Sequence, residues 1–114
     1  MGPLLDLSHP IAPGMTVHPG IPAPEVRAYR TRAELAPHYA PGVSFELTWL
    51  GMVTSIGTYV DAPAHRHEGL ADLAQVPLER YADLPEQGFR FHAAPLAEAG
   101  GLVMPVRAYA VLDS

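Results

Sequence analysis

Asp61 and His65 stand four residues apart, with Tyr59 two residues before the aspartate, in the run Ser55-Ile56-Gly57-Thr58-Tyr59-Val60-Asp61-Ala62-Pro63-Ala64-His65. A carboxylate beside an imidazole orients the ring and favours its charged form. Such a pair can carry general acid–base catalysis, commonly a factor of about 10² to 10⁴ in rate. Tyr59 can donate its phenolic hydrogen to a substrate carbonyl and serve as an electrophile. Ser55 can hydrogen-bond a substrate, but the sequence places no base within its reach, so it is not read as a hydrolase nucleophile. Each residue also has a plainer explanation. Asp61 can cap a strand end, His65 can be a hydrogen-bonded loop residue and Tyr59 can be a packed aromatic.

Metal chemistry is the other possibility for these side chains. A catalytic zinc normally takes three protein ligands and keeps one open position. Asp61, His65 and His67 could in principle surround one ion, but Arg66 lies between the two histidines and opposes a cation. Serine and tyrosine are protonated at neutral pH and make poor ligands. The expectation is therefore no metal and no other cofactor.

The run resembles the signature of the cyclase and kynurenine formamidase family, whose usual form is H-x-G-T-H-x-D-A-P-x-H. Gly57, Thr58, Asp61, Ala62, Pro63 and His65 match it. In that family the first two histidines and the aspartate bind a divalent metal, and the last histidine sits beside it as an acid–base group. Here Ser55 and Tyr59 occupy the two histidine positions. Asp6-Leu7-Ser8-His9-Pro10-Ile11 and Pro13-Gly14-Met15-Thr16-Val17-His18-Pro19-Gly20 are similar to the family's opening segment. Val76 to Tyr81 resembles the block after the signature, and Gly88 to Leu96 with Pro105 to Ala108 resembles its last strands. Relatives are much longer than 114 residues. The resemblance implies an internally shortened member, joined near Tyr81 to Leu84, that lacks the middle where a further histidine and glutamate ligand normally lie.

Composition sets the outer bounds. A chain of 114 residues is expected to form one domain, with residues 1–114 making a single shortened cyclase-like unit. Apolar residues make up 48% and charged residues 17%, which favours folding over disorder. A net charge of −5 would repel a phosphate backbone, so nucleic acid is not an expected partner. No apolar run is long enough to span a bilayer, and no basic segment precedes an apolar stretch at the N-terminus. Cysteine is absent, excluding disulfides and thiolate chemistry. The expected compartment is the cytoplasm, and the expected partners are a small-molecule substrate and further copies of the chain.

The elements that must position the signature are short, because 13 prolines and 10 glycines interrupt the chain. Residues 3–24 hold six prolines and are expected to run extended over the surface. Thr31 to Tyr39 suits a short helix closed by Pro41-Gly42. Ser44 to Leu50 alternates as a half-buried strand with Phe45, Leu47 and Trp49 on one face. A strand from about Met52 to Val60 should put Ile56, Thr58 and Val60 on one face and Ser55, Gly57 and Tyr59 on the other, ending at Asp61-Ala62-Pro63. Leu70 to Gln75 suits a helical turn. Phe89 to Ala93 and Val106 to Leu112 read as two more strands, linked through Ala99-Gly100-Gly101.

The pattern is α/β and strand-dominated, and the resemblance implies a reduced swivelling β/β/α fold. A shortened sheet leaves edges to cover, which points to a homodimer or higher oligomer. The functional reading is a cyclase-like enzyme that uses no metal and performs ring closure, dehydration or hydrolysis on a small carbonyl or amide compound. Asp61, His65 and Tyr59 are its catalytic groups. Ser55, His18, Trp49 and Phe45 are the substrate-binding candidates, His18 by resemblance and the two aromatics as pocket lining or core. His9, His38, Glu46 and His92 are weaker candidates. The alternative is an inert binding or assembly subunit that keeps the fold without the chemistry.

Overall fold

The structure, a computed structural model, describes residues 2–81 and 88–113. In chain order the elements are β1 (Leu4–Asp6), β2 (Glu25–Arg30), α1 (Arg32–Leu35), β3 (Leu47–Gly51), β4 (Tyr59–Asp61), α2 (Pro63–Arg66), β5 (Phe89–His92), β6 (Val103–Pro105) and β7 (Tyr109–Leu112). Short 3-10 turns cover Ala36–His38 and Leu78–Tyr81. Strands outnumber helices, and both helices are a single turn, so the chain is strand-dominated and compatible with an α/β class. No helix among the described residues is long and apolar enough to cross a membrane. The residues gather into two compact units, Met1–Pro10 with Thr54–Ser114, and Ile11–Val53.

The first unit carries the signature. Its main sheet has the order β1-β7-β5, all antiparallel, and a separate pair joins β4 to β6. β7 is central because Ala110 and Val111 offer apolar side chains to both faces, and both are buried. The N-terminal segment runs so close to β7 that a side chain at Gly2 would meet the Leu112 carbonyl oxygen at 1.8 Å. Only glycine fits there. The buried apolar side chains of this unit are Ile56, Ala62, Leu73, Val103, Ala108, Ala110 and Val111. Leu73 is 2% exposed, and burying such a side chain contributes about 1.5–3 kcal/mol.

The second unit is a two-stranded sheet with one helical turn. β2 and β3 pair antiparallel, with the register shifting between Ala28 and Arg30 so that Tyr29 is the extra residue of a bulge. Arg27 pairs across from Trp49, and its guanidinium sits 4.6 Å from the ring centroid as a cation–π contact. The α1 turn begins where expected because Thr31 caps it. Its hydroxyl accepts from the Glu34 amide at 3.3 Å, while the Glu34 carboxylate accepts from the Thr31 amide at 2.7 Å. Those contacts hold the Glu34 carboxyl below its ordinary value. Tyr39 packs edge-on against Phe45 with centroids 4.8 Å apart.

Several elements depart from the sequence-based expectation. The strand expected from Met52 is only β4, because residues 54–58 bend and Gly57 adopts φ 73°, outside the extended region. The strand around Trp49 starts at Leu47, so Phe45 precedes it, and Leu47 and Trp49 are exposed rather than half-buried. Residues 70–75 form no helix. Asp72 instead accepts from the amides of Ala74, Gln75 and Gly100 and fixes a turn. The strand expected over 106–112 is only β7, from Tyr109, while Val106 to Ala108 link it to β6, which pairs in a different sheet. The expected chain junction falls largely on residues 82–84, outside the described residues.

Candidate active site

Local geometry explains why the signature needs its small and rigid residues. Ile56 is buried and anchors the bend, and Gly57 supplies the positive φ that lets the chain enter β4. Thr58 ties the bend to its neighbours, its hydroxyl accepting from the His9 amide at 3.0 Å and its carbonyl from the Val106 amide at 2.9 Å. β4 pairs Tyr59 with Pro105, Val60 with Met104 and Asp61 with Val103. The Ala62 amide donates to the Leu102 carbonyl at 2.8 Å, and Ala62 is 2% exposed, so a larger residue has no room. Pro63 then opens α2 at a position where its missing N–H has no cost.

This path puts Tyr59 at the start of β4, Asp61 at its end and His65 on the helical turn that follows. Alternation along β4 places Tyr59 and Asp61 on the same face, with Val60 on the other. The single turn of α2 returns His65 toward Asp61, with Nε2 3.9 Å from Oδ2. That is ion-pair reach, longer than a hydrogen bond. Arg66 competes for the same oxygen, its Nε lying 4.0 Å away. Both Asp61 and His65 side chains keep 34% of their surface in solvent, so water screens the pair and its contribution to stability is at most about 1 kcal/mol. Tyr59 is 46% exposed, with its phenol open to a ligand. Ser55 lies half-buried in the bend before β4.

The donor set does not fit a resident transition metal. Ser55 and Tyr59 offer protonated oxygens at the positions of two histidine ligands. Among the described residues no three His, Asp or Glu side chains gather where they could hold one ion. That includes Asp61 with His65 and His67.

The remaining candidates divide between the units. Phe45, Trp49 and His18 belong to the second unit. His18 donates through Nδ1 to the Pro19 carbonyl at 2.9 Å, Phe45 packs on Tyr39, and Trp49 lies over Gly51 beneath Arg27. Glu46 and His38 are exposed there. In the first unit His9 contributes its backbone to Thr58, and His92 stacks on Tyr109 with centroids 4.9 Å apart.

Of a second group of residues, the sequence singled out His92 alone. Arg107 grips Asp6 with two donors, Nε to Oδ1 at 3.0 Å and Nη2 to Oδ2. The guanidinium, followed by the Ser8 amide, holds the Asp6 carboxyl below its ordinary value. Beside this pair opens a pocket of about 400 Å³ whose walls include Tyr81, His92, Arg107 and Tyr109. Burial, then the charge of Asp72, pushes the Tyr81 phenol above its ordinary value, and its hydroxyl reaches the Leu73 carbonyl at 3.5 Å. The signal available in the sequence was faint, since alternation in two short strands is all that puts His92 and Tyr109 side by side.

The signature bend and the strands that hold it agree with what comparison finds. The chain matches the profile of the family described as "Putative cyclase" over residues 5–90, and it belongs to that family. The match takes in the opening segment, the signature and the block after it. The resembling strands beyond residue 90 lie outside the match. A search of curated proteins found no match to this chain.

Proposed function

We propose that this member of the cyclase family performs proton-transfer chemistry through Asp61 and His65, without a resident metal, on a small carbonyl or amide compound. The observation that carries the proposal is the 3.9 Å approach of His65 Nε2 to Asp61 Oδ2 at the end of the family's signature. His65 takes a proton from the attacking group and returns it to the departing one. Asp61 orients the ring and balances its charge while the proton is held. Tyr59, on the face of β4 that it shares with Asp61, donates to the substrate carbonyl and offsets the negative charge that develops there. Ser55, in the bend before β4, is a further hydrogen-bonding group. The reaction is a ring closure, a dehydration or a hydrolysis. Kynurenine formamidase activity is not expected, because that chemistry relies on the histidine ligands replaced at positions 55 and 59.

A screen of small cyclic and acyclic carbonyl metabolites, read by product formation and by thermal shift, tests this reading. Turnover that survives chelation and is lost in His65→Ala supports it. Ligands that bind without being transformed support the second reading, an inert binding subunit. One observation favours that alternative: Arg66 shares Asp61 with His65 at nearly the same distance and dilutes the hold of the carboxylate on the imidazole.

Self-association belongs to the same proposal. Every residue of β2 is exposed, and Tyr29 and Leu50 are 58% and 53% exposed. A two-stranded sheet alone is marginal in water. A dimer or larger assembly is expected by light scattering at low micromolar concentration, and a stable monomer would contradict it.

A further inference from the structure

We propose that the pocket over the β1-β7-β5 sheet binds a small organic carboxylate with a flat apolar body, at a site separate from Asp61 and His65. The register of the sheet builds it. His92 pairs with Tyr109, which pairs with Asp6, so one row of side chains crosses all three strands on a single face. His92 and Tyr109 stack with an interplanar angle of 19° and form a flat wall. Tyr81, Leu78 and Ala93 supply further apolar surface, and the volume of about 400 Å³ lies in the range of small-ligand sites. A neighbouring space of about 310 Å³ is bordered by Leu4 and Asp6 and shares Arg107 and Tyr109 with the first. The cation therefore stands at the meeting point of two largely apolar spaces.

Arg107 determines the ligand chemistry. Asp6 accepts from Nε and Nη2, which orients the guanidinium plane. Three of its five N–H groups remain: both on Nη1 and the second on Nη2. Among the described residues these have no partner, and the side chain is 77% exposed. A planar fork with donors to spare suits a carboxylate better than a neutral acceptor. Asp6 already offsets part of its charge, so the affinity expected is modest, with Kd on the order of millimolar. Nothing in this site depends on the Asp61–His65 reading.

The test is a titration of the full chain with sodium benzoate, followed by NMR shifts up to about 10 mM. Saturable shifts at Tyr109 and His92 are expected. Benzamide, which has the same shape without the charge, should bind about tenfold more weakly. Arg107→Gln should weaken benzoate by about tenfold or more, and Arg107→Lys should recover part of the loss because it restores charge without the fork. Arg32→Gln, in the other unit, and His65→Ala should leave binding unchanged. The proposal is overturned by benzoate that fails to saturate, by equal binding in Arg107→Gln, or by shifts that centre on Asp61 and vanish in His65→Ala. That last pattern would put the ligand in the signature site, while normal binding without any turnover would count against the catalytic reading alone.

Discussion

Asp61 and Asp6 each end a short strand and each face a cation, yet their surroundings differ in kind. Asp6 is gripped by two parallel hydrogen bonds from one guanidinium and by the Ser8 amide, and its carboxyl is held below the ordinary range. Asp61 has the His65 imidazole at 3.9 Å and the Arg66 guanidinium at 4.0 Å, and a firm bond to neither. A tight bidentate pair fixes geometry and spends its donors on structure. A loose pair leaves an imidazole able to gain and lose a proton with little rearrangement. The comparison teaches that contact strength is a poor guide to proposed use: in the reading proposed above, the weaker pair moves protons and the stronger one holds a ligand by its unspent donors.

The sharpest way to break the contrast is His65→Ala, which should lower turnover by about 10² to 10⁴ while leaving benzoate binding at Arg107 unchanged. Equal losses at both sites would mean that the variant disturbs the whole unit. Gly57→Ala forces a side chain into a left-handed backbone and should cost about 1–2 kcal/mol of stability, read by denaturant unfolding. Its effect on turnover should exceed its effect on the sheet pocket, because the bend feeds only β4. Tyr59→Phe should reduce turnover by about tenfold with the fold intact, since it deletes one donor to the substrate.

The smallest effect expected is at the tight pair, and it is visible only through pH. Because folding depresses the Asp6 carboxyl, its contribution is present above the ordinary carboxylate range and is lost as pH falls through the depressed value. Asp6→Asn should therefore lower Tm slightly at neutral pH. The gap to the natural protein should close as the solution is acidified, and a gap that stays constant with pH would show that the Asp6 charge contributes nothing.

Local signals were legible in the sequence because their physics is local. The composition of residues 31–39 announced a helix whose first turn Thr31 and Glu34 cap, and Pro63 follows the end of β4 where a proline must. The signature placed Asp61 and His65 together because a bend, a short strand and one helical turn suffice to do so. Gly57 was harder to read, since alternation around it mimics a strand and only its positive φ reveals the bend. Asp72 likewise overrides the helical composition of residues 70–75 by binding three amides. The sheet pocket was not legible, for Asp6 and Arg107 are 101 residues apart and meet only through the pairing of β1 with β7. Alternation read Phe45 and Trp49 first as core, but Trp49 is exposed in β3 and Phe45 precedes the strand and packs edge-on against Tyr39.

Turnover of a screened carbonyl or amide substrate, measured before and after exhaustive chelation in the natural protein and in His65→Ala, tests the central claim most directly. The account expects chelation to leave the natural protein's rate unchanged and His65→Ala to lose at least about a hundredfold. A rate abolished by chelation, or full turnover in His65→Ala, would contradict it.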